Sequence, residues 1–229
     1  MVTLEGPMRR FEEIVDIAAE RKGGRDAVLA GIPKPKSPDE IAAVPDDRWL
    51  AGMARGIFQA GISWTVVENK WPEIEEAFRG FDVGALSMMS EDWFDALVAD
   101  RRVIRSAPKI AAIRDNAAFL RRLAEDGTPF GRRVADWPEA DFAGLLDWLK
   151  RDGSRLGGGT AAYLLRSMGK DSFILSQDVV ARLVAEGVID KAPTSRRAMQ
   201  AVQQAFNTWR EESGATLTTI SRVLAQSIG

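Results

Sequence analysis

The sequence predicts an all-α protein, and three features of the chain support this fold class. Amphipathic segments with apolar residues at helical spacing follow one another through nearly all of its 229 residues. Proline, glycine and capping residues separate these segments at the positions where helices begin and end. No stretch alternates apolar and polar residues as a half-buried strand does. The length allows one large domain or two small lobes.

The sequence predicts two helices and a linker in the N-terminal part of the chain. Residues 8–22 carry apolar side chains at Phe11, Ile14, Val15 and Ala18, a helical period that ends at Gly23 and Gly24. A short helix is predicted over residues 25–32, followed by a proline-rich stretch over residues 33–45. We therefore expect residues 1–45 to form a helical appendage and linker, and residues 46–229 to form the main domain.

From Ser37 onward the sequence predicts a series of helices with clear boundaries. Ser37-Pro38-Asp39-Glu40 has the capping serine, early proline and acidic first turn of a helix start. Pro45 opens the next helix, and Trp71-Pro72 is expected to end a segment that starts at Gly56. Residues 128–138 are predicted to be irregular. Further helices are predicted over residues 72–81, 82–88, 90–100, 107–127, 139–150, 160–168, 179–186, 193–212 and 216–227.

Composition excludes several kinds of chemistry. The chain contains no cysteine and no histidine, which removes disulfides, thiol nucleophiles, Cys/His zinc sites and histidine-based triads. Acid–base chemistry near neutral pH must therefore use Asp, Glu, Lys, the single tyrosine or water. We expect no metal and no cofactor. With a net charge of −2, binding to nucleic acid would need local basic patches or oriented backbone N–H groups.

A glycine-rich hairpin at Gly157, Gly158 and Gly159 is the first candidate site. Three consecutive glycines would cost roughly 1 kcal/mol each inside a helix, so we expect them in a turn before the helix that starts at Thr160. Backbone N–H groups at such a helix N-terminus can bind a phosphate. A tight corner between two helices without a ligand explains the glycines equally well.

The second candidate site lies in residues 56–64. Phe58 and Trp64 offer aromatic faces, and Gln59 and Ser63 offer hydrogen-bonding groups, which together could form a slot for a nucleobase. Helix packing is the alternative for each aromatic residue. A basic cluster of Arg101, Arg102, Arg105 and Lys109 is either a solvated surface or a set of phosphate contacts.

Asp178 is the third candidate. An Asp in front of a predicted helix is most often an N-cap. Because the chain lacks histidine, Asp178 is also a candidate for the carboxylate of a catalytic site.

Several spaced motifs resemble 3-methyladenine DNA glycosylase I. They are QAGISWTVV from Gln59, FRGFDVGAL from Phe78, and LVADRRVIRSAPKIAAIRDNAAFL from Leu97. They are similar to the QAGLSW motif of that family, to its FDP-type turn, and to its IIRNRxKI segment with the helix that follows. The resemblance covers residues 46–123.

The region from Leu156 to Asp178 is similar to the wider helix-hairpin-helix glycosylase superfamily. Its hairpin pattern LPGIGPxTA is followed by a loop that ends in Asp, and Gly157, Thr160, Ala161 and Asp178 fall on those positions. Residues 196–227 are similar to its closing helices.

This resemblance implies a two-lobed helical bundle with a helix-hairpin-helix motif that flips an alkylated purine out of duplex DNA and hydrolyses its N-glycosidic bond. Asp178 would stabilise the sugar cation or orient water, and Trp64 would stack the flipped base with Phe58, Gln59 and Ser63 around it. Gly157, Gly158, Gly159 and Thr160 would hold the DNA backbone. We expect a monomer in the cytoplasm, associated with the nucleoid and not with a membrane.

The chain also departs from the family. The zinc ligands of the type I enzymes, two Cys and two His, cannot exist here, and Gly56 stands where they carry a glutamate in the base pocket. Bifunctional members of the superfamily carry a Schiff-base lysine where this chain has Gly159, so we predict an enzyme without lyase activity. The rival hypotheses are a catalytically inactive binder of DNA structure derived from a glycosylase, and a structural helical protein.

Overall fold

The computed structural model describes residues 8–228, which form two compact units built from helices. The first, called here the terminal unit, contains the described residues up to Pro35, Pro138–Gly144, and the chain from Asp171 onward. The second, called the central unit, contains Lys36–Trp137 and Leu145–Lys170. The boundary expected at residue 45 coincides with neither edge. Residues 8–35 group with the C-terminal helices, whereas residues 36–45 belong to the central unit.

The described residues contain fourteen α-helices and no strand, so the predicted all-α fold class is confirmed. In the central unit the helices are α3 (Pro38–Ala42), α4 (Asp46–Gln59), α5 (Trp64–Ala77), α6 (Val83–Ser87), α7 (Glu91–Ala99), α8 (Ala107–Glu125), α9 (Phe130–Asp136) and α11 (Gly159–Met168). In the terminal unit they are α1 (Phe11–Lys22), α2 (Arg25–Leu29), α12 (Gln177–Ala185), α13 (Arg196–Ser213) and α14 (Leu217–Gln226). Helix α10 (Phe142–Asp152) begins in the terminal unit and continues in the central one.

Helices α4 and α8 form the core of the central unit. Helix α4 packs on α8 and on α11, and its buried side chains include Trp49 and Phe58. Beside it lies an aromatic cluster in which the ring of Phe81 stacks on Phe78 at 5.2 Å and on Trp71 at 5.5 Å, measured between ring centroids. Burial of these large apolar surfaces is the main stabilising contribution in this unit.

Helix α5 continues through Pro72, contrary to the predicted break at Trp71-Pro72. Proline removes one backbone hydrogen bond, which costs about 3 kcal/mol in a helix interior. Three buried side chains on one face of α5, Val67, Trp71 and Ile74, hold the helix against the core and offset this cost. The stretch over residues 128–138, predicted to be irregular, contains α9, whose Phe130 and Val134 are fully buried.

In the terminal unit, α14 packs on α1, α2, α12 and α13. A buried carboxylate fixes its N-terminus: the Asp171 oxygens accept hydrogen bonds from the N–H groups of Leu217 (3.0 Å), Thr218 (2.8 Å) and Ser172 (3.1 Å). These bonds satisfy helix donors that would otherwise be buried without partners. Asp171 therefore connects the loop before α12 to the last helix.

None of the helices within residues 8–228 is both long enough and apolar enough to span a bilayer. In the same residues, no three Asp or Glu side chains are grouped so that they could hold a metal ion.

We expect Asp171→Ala to lower the free energy of unfolding by roughly 2–3 kcal/mol, because three backbone N–H groups lose a charged acceptor. Urea denaturation followed by circular dichroism measures this change. Asp190→Ala, at an exposed position of the same unit, is the matched control and should stay within about 0.5 kcal/mol of wild type. Equal stabilities of the two variants would contradict the role given to Asp171.

Candidate functional site

The glycine hairpin joins α10 to α11, and its last glycine belongs to the helix. Gly159 is the first residue of α11, so the prediction that all three glycines lie in the turn is wrong for this one. Gly158, the N-cap, has φ of 60° and ψ of −136°, a conformation that strongly favours glycine. Earlier in the loop, Arg155 also has a positive φ, of 57°. The backbone thus reverses direction within a few residues and enters α11.

The N-terminus of α11 presents unpaired donors. Among the described residues, nothing accepts a hydrogen bond from the N–H groups of Gly157, Gly158, Gly159 or Thr160. Gly158 and Gly159 are exposed, and no side chain caps the helix. These groups carry the positive end of the helix dipole. The hairpin therefore leaves a row of backbone donors without acceptors, and its role as an anion site stays a prediction.

A cation missed by the sequence analysis lies beside the hairpin. A Cβ atom built on Gly157 would lie 3.3 Å from Cγ of Lys150, so the stem of this lysine packs along the turn. Lys150 is exposed, and its ammonium group has no ion-pair partner within the described part of the chain. Its position in the last turn of α10 was visible in the sequence, but its approach to the glycines depends on the path of the loop.

A buried asparagine holds the hairpin loop against α8. Asn116, which is fully buried, donates from Nδ2 to the carbonyl of Ser154 (2.9 Å) and accepts at Oδ1 from the N–H of the same residue (2.8 Å). The loop before the glycines is thus fixed by both backbone groups of one residue. A buried amide with this pairing is satisfied at both ends.

Trp64 lies next to the hairpin helix. It is the first residue of α5 and is 54% exposed. Its ring meets the ring of Tyr163 on α11 edge to face, at 5.5 Å between centroids and 88° between planes. Tyr163 is 44% exposed and was not predicted as a site residue. The structure therefore places Trp64 beside the helix whose N-terminus carries the unpaired N–H groups.

The three residues predicted around Trp64 have different environments. Phe58 is fully buried and packs edge-on against Phe78 at 6.0 Å, as the helix-packing alternative anticipated. Gln59 ends α4 and donates from Nε2 to the carboxylate of Glu68 (2.9 Å). Ser63, the exposed N-cap of α5, makes no side-chain capping bond. Gln59 and Ser63 therefore lie at the surface, whereas Phe58 belongs to the core.

Glu68 adds a carboxylate near this surface. It lies one helical turn after Trp64, a spacing that places both side chains on the same face of α5. Its Oε1 is 3.5 Å from Nε of Arg55, whose guanidinium lies 4.2 Å from the centroid of the Trp71 ring. The i, i+4 spacing of Trp64 and Glu68 was the signal in the sequence that could have identified this residue.

Gly56 is explained by close packing. A Cβ atom built on Gly56 would lie 3.1 Å from Cγ2 of Thr160, tighter than most such contacts. One turn earlier, the equivalent atom on Gly52 would lie 2.7 Å from Cδ1 of Leu164. These two positions form the surface of α4 on which α11 rests. Helix α11 therefore occupies the space into which a side chain at position 56 would point.

The basic cluster divides into paired and unpaired members. Lys109 Nζ donates to the carbonyls of Phe58 (3.0 Å) and Ala60 (2.7 Å), and so caps the C-terminus of α4. Burial, and to a lesser extent the guanidinium of Arg155, lower the pKa of Lys109. Arg102 pairs with Asp100 at 2.8 Å and with Glu76 at 3.4 Å. Arg101 and Arg105 have no ion-pair partner in residues 8–228.

Asp178 belongs to the terminal unit, whereas the other predicted site residues belong to the central unit. It is the second residue of α12, and the N-cap is Ser176, whose hydroxyl accepts from the N–H of Val179 (3.3 Å). The N-cap interpretation of Asp178 is therefore wrong. Its carboxylate is exposed in the first helical turn, without a hydrogen-bond or ion-pair partner among the described residues.

We expect Asn116→Leu to lower the free energy of unfolding by about 2–3 kcal/mol, since the carbonyl and the N–H of Ser154 both lose their partner. Ser154→Ala is the control, because it removes only the hydroxyl group with its solvent-exposed bond to Asp115 (3.3 Å) and leaves both backbone bonds to Asn116 in place. It should stay within about 0.5 kcal/mol of wild type in urea denaturation. A stable Asn116→Leu variant would show that the loop does not depend on the amide.

Comparison with known proteins supports the family suggested by the motifs. The methyladenine glycosylase family matches residues 45–140. DNA-3-methyladenine glycosylase 1 of Escherichia coli K12 is 36% identical over 72 residues, which are 31% of this chain and 38% of that protein. The chain thus matches well under half of the length of this relative.

Solved structures extend the likeness beyond this segment. The 8-oxoguanine glycosylase/lyase of Methanocaldococcus jannaschii, solved with a DNA 15-mer containing 8-oxoguanine, aligns over 93% of this chain and 95% of its own, with a TM-score of 0.50 and 14% identity. A crystal structure of 3-methyladenine DNA glycosylase I aligns over 59% of this chain and 81% of its own, with a TM-score of 0.48 and 22% identity. The fold is therefore that of a helical DNA glycosylase, and residues 45–140 carry the sequence pattern of the methyladenine glycosylase family.

Proposed function

We propose that this protein is a monofunctional DNA glycosylase that removes alkylated purine bases such as 3-methyladenine in base excision repair. The observation that carries the proposal is the row of unpaired N–H groups at Gly157–Thr160, beside the exposed Trp64 and Tyr163. An anion site next to an exposed aromatic ring suits a nucleotide that is held by its phosphate and stacked by its base. Duplex DNA with a damaged base is the proposed partner of a monomeric protein.

The hairpin holds the DNA backbone in this proposal. Each N–H group donates to a phosphate oxygen, and the helix dipole favours the negative charge. The ammonium of Lys150 supplies a mobile cation at the same turn. These contacts fix the position of the DNA without reading its sequence, as repair of lesions scattered over the genome requires.

Trp64 stacks the flipped base. An alkylated purine carries positive charge, which strengthens its attraction to the face of an indole ring. Gln59 and Ser63 offer hydrogen bonds to the edge of the base, and the carboxylate of Glu68 lies close to both Gln59 and the Trp64 face of α5. Phe58 supports this surface from the core.

Asp178 provides the negative charge for bond cleavage. Loss of the base leaves an oxocarbenium-like sugar, which a nearby carboxylate stabilises, and the same group can orient the attacking water. The first turn of α12 suits such a group, because it leaves the Asp178 carboxylate exposed and without a partner among the described residues.

One observation favours a second function, a DNA-structure binder without catalysis. Thr160 crowds position 56, where the family carries its pocket glutamate, so α4 offers no acid to the base. Such a protein would bind DNA with the same hairpin. Retained affinity for duplex DNA together with zero base release would establish this alternative.

We expect wild-type protein to release methylated purines from alkylated duplex DNA, and Asp178→Asn to slow this release by about 100-fold or more. Chromatography of the freed bases measures the rate. Asp190→Asn, at an exposed position of the same unit, is the control and should act at the wild-type rate. Full activity of Asp178→Asn would exclude the assigned role of the carboxylate.

The proposal also predicts an intact abasic strand as product. Gly159 supplies no amine at the hairpin, so no Schiff base with the sugar should form there. Borohydride added during the reaction should trap no covalent protein–DNA complex, and strand breakage should require subsequent alkali. A bifunctional glycosylase serves as the positive control, and a trapped complex with this chain would show that another lysine acts as the nucleophile.

A further inference from the structure

A groove in the central unit lies next to Trp64 and is outside the site proposed above. Its volume is about 700 Å³. Ile62 and Val66, on either side of Trp64 in the chain, form part of its apolar floor together with Val103. Lys70, Arg101 and Arg105 supply its charge, and no acidic side chain lines it. The groove therefore combines an apolar floor with positive charge alone.

The two arginines of the groove are free to bind a ligand. Arg101 and Arg105 are exposed, and neither has an ion-pair partner in the described part of the chain. Arg102, which lies between them in sequence and is not part of the groove lining, pairs with Asp100 and Glu76. In a chain with 33 acidic residues against 31 basic ones, a groove without any acid is a local excess of positive charge.

The arginine-bearing segment is held in place by backbone contacts. Lys70 Nζ donates to the carbonyl of Arg101 at 2.7 Å, which fixes this segment against α5. Val103, which lies between the two arginines in sequence, is buried, so the segment is also anchored between them. A pre-formed groove loses less conformational entropy when it binds a ligand.

The groove is also connected to the hairpin through a short series of neighbours. Arg155, in the hairpin loop, is close enough to Lys109 to contribute to lowering the pKa of that lysine. Lys109 in turn donates to the carbonyl of Ala60, two residues before Ile62 of the groove floor. Basic side chains thus occur in the hairpin loop, at the C-terminus of α4 and along the groove.

We propose that this groove binds the sugar–phosphate backbone of a DNA strand, as a second contact beyond the hairpin. Arg101 and Arg105 each hold a phosphate, and the apolar floor lies against deoxyribose. Arginine suits this role, because its planar guanidinium can donate two hydrogen bonds to one phosphate. The inference rests on the proposed function in that the partner is DNA, but it assigns residues that base removal itself does not require.

The experiment measures the salt dependence of binding to a short undamaged duplex. Neutralising one phosphate contributes about 0.9 to the slope of log K against log salt concentration. We therefore expect the Arg101→Ala/Arg105→Ala double variant of the full chain to bind more weakly and to lose about 1.8 from the magnitude of that slope. The double variant with lysine at both positions should retain most of the slope, since the charges remain.

A control variant tests whether the change in slope comes from contacts in the groove or from the loss of any two positive charges. Arg121→Ala/Arg122→Ala removes two positive charges from exposed positions on α8, outside the groove lining, and should leave the slope nearly unchanged. Circular dichroism verifies that each variant is folded.

The possible outcomes distinguish this inference from the proposed function. A slope unchanged in the groove variant, or changed equally in the control, would overturn the groove assignment while base release by wild type still upheld the proposed function. If the slope were unchanged, the groove would bind something other than DNA, such as an acidic protein segment. Binding without any base release would overturn the enzyme but leave the groove inference supported, and absence of DNA binding by wild type would overturn both.

Discussion

The close approach of α4 and α11 determines the geometry of the candidate site. Two glycines one turn apart, Gly52 and Gly56, remove the side chains that would hold the helices apart, and Leu164 and Thr160 of α11 occupy the space. This contact places the N-terminus of α11 beside the end of α4, where the chain turns through Gly61 into Trp64. The pairing of Trp64 with Tyr163 follows from the same contact. The residues proposed to recognise a base and to bind a phosphate are therefore positioned by one helix–helix interface.

Two further interactions keep this interface rigid. The amide of Asn116 fixes the loop in front of the glycines, and the ammonium of Lys109 caps the carbonyl end of α4. Both side chains come from α8, so a single helix supports both ends of the site. A site held by packed helices and satisfied buried groups loses little entropy on binding, because its donors already point in their final directions.

Much of this arrangement could be predicted from the sequence, because it depends on local signals. The hairpin was visible in the run of three glycines, and the helix starts in residues such as Ser37 and Ser195, whose hydroxyls accept capping bonds. The spaced motifs from Gln59 to Leu120 indicated the methyladenine glycosylase family, whose pattern matches residues 45–140. These features depend on neighbours in the chain, so the sequence records them directly.

Other features depend on contacts between distant residues and could not be predicted in this way. The helix continues through Pro72 because its buried face outweighs the lost hydrogen bond, a balance set by tertiary packing. Phe58 is directed into the core, whereas Gln59 reaches the carboxylate of Glu68 on another helix. Tyr163 and Lys150 carried no motif, and their proximity to Trp64 and Gly157 follows from the fold alone. The catalytic role of Asp178 stays a prediction. The structure shows that Ser176, and not Asp178, caps α12.

Composition and structure together restrict the chemistry that this protein could perform. Without histidine, cysteine or an amine at Gly159, the chain offers a carboxylate and water for breaking a glycosidic bond. Such a mechanism is effective when the leaving group is already activated, and a positively charged alkylated purine is activated by its own charge. A neutral base would need a proton donor near the ring, and the side chains around Trp64 are the amide of Gln59, the hydroxyl groups of Ser63 and Tyr163, and the Glu68 carboxylate, which already accepts from Gln59. None of these groups is a strong acid. Within the proposed function, this limited set of groups favours an alkylated purine over an undamaged base as the substrate.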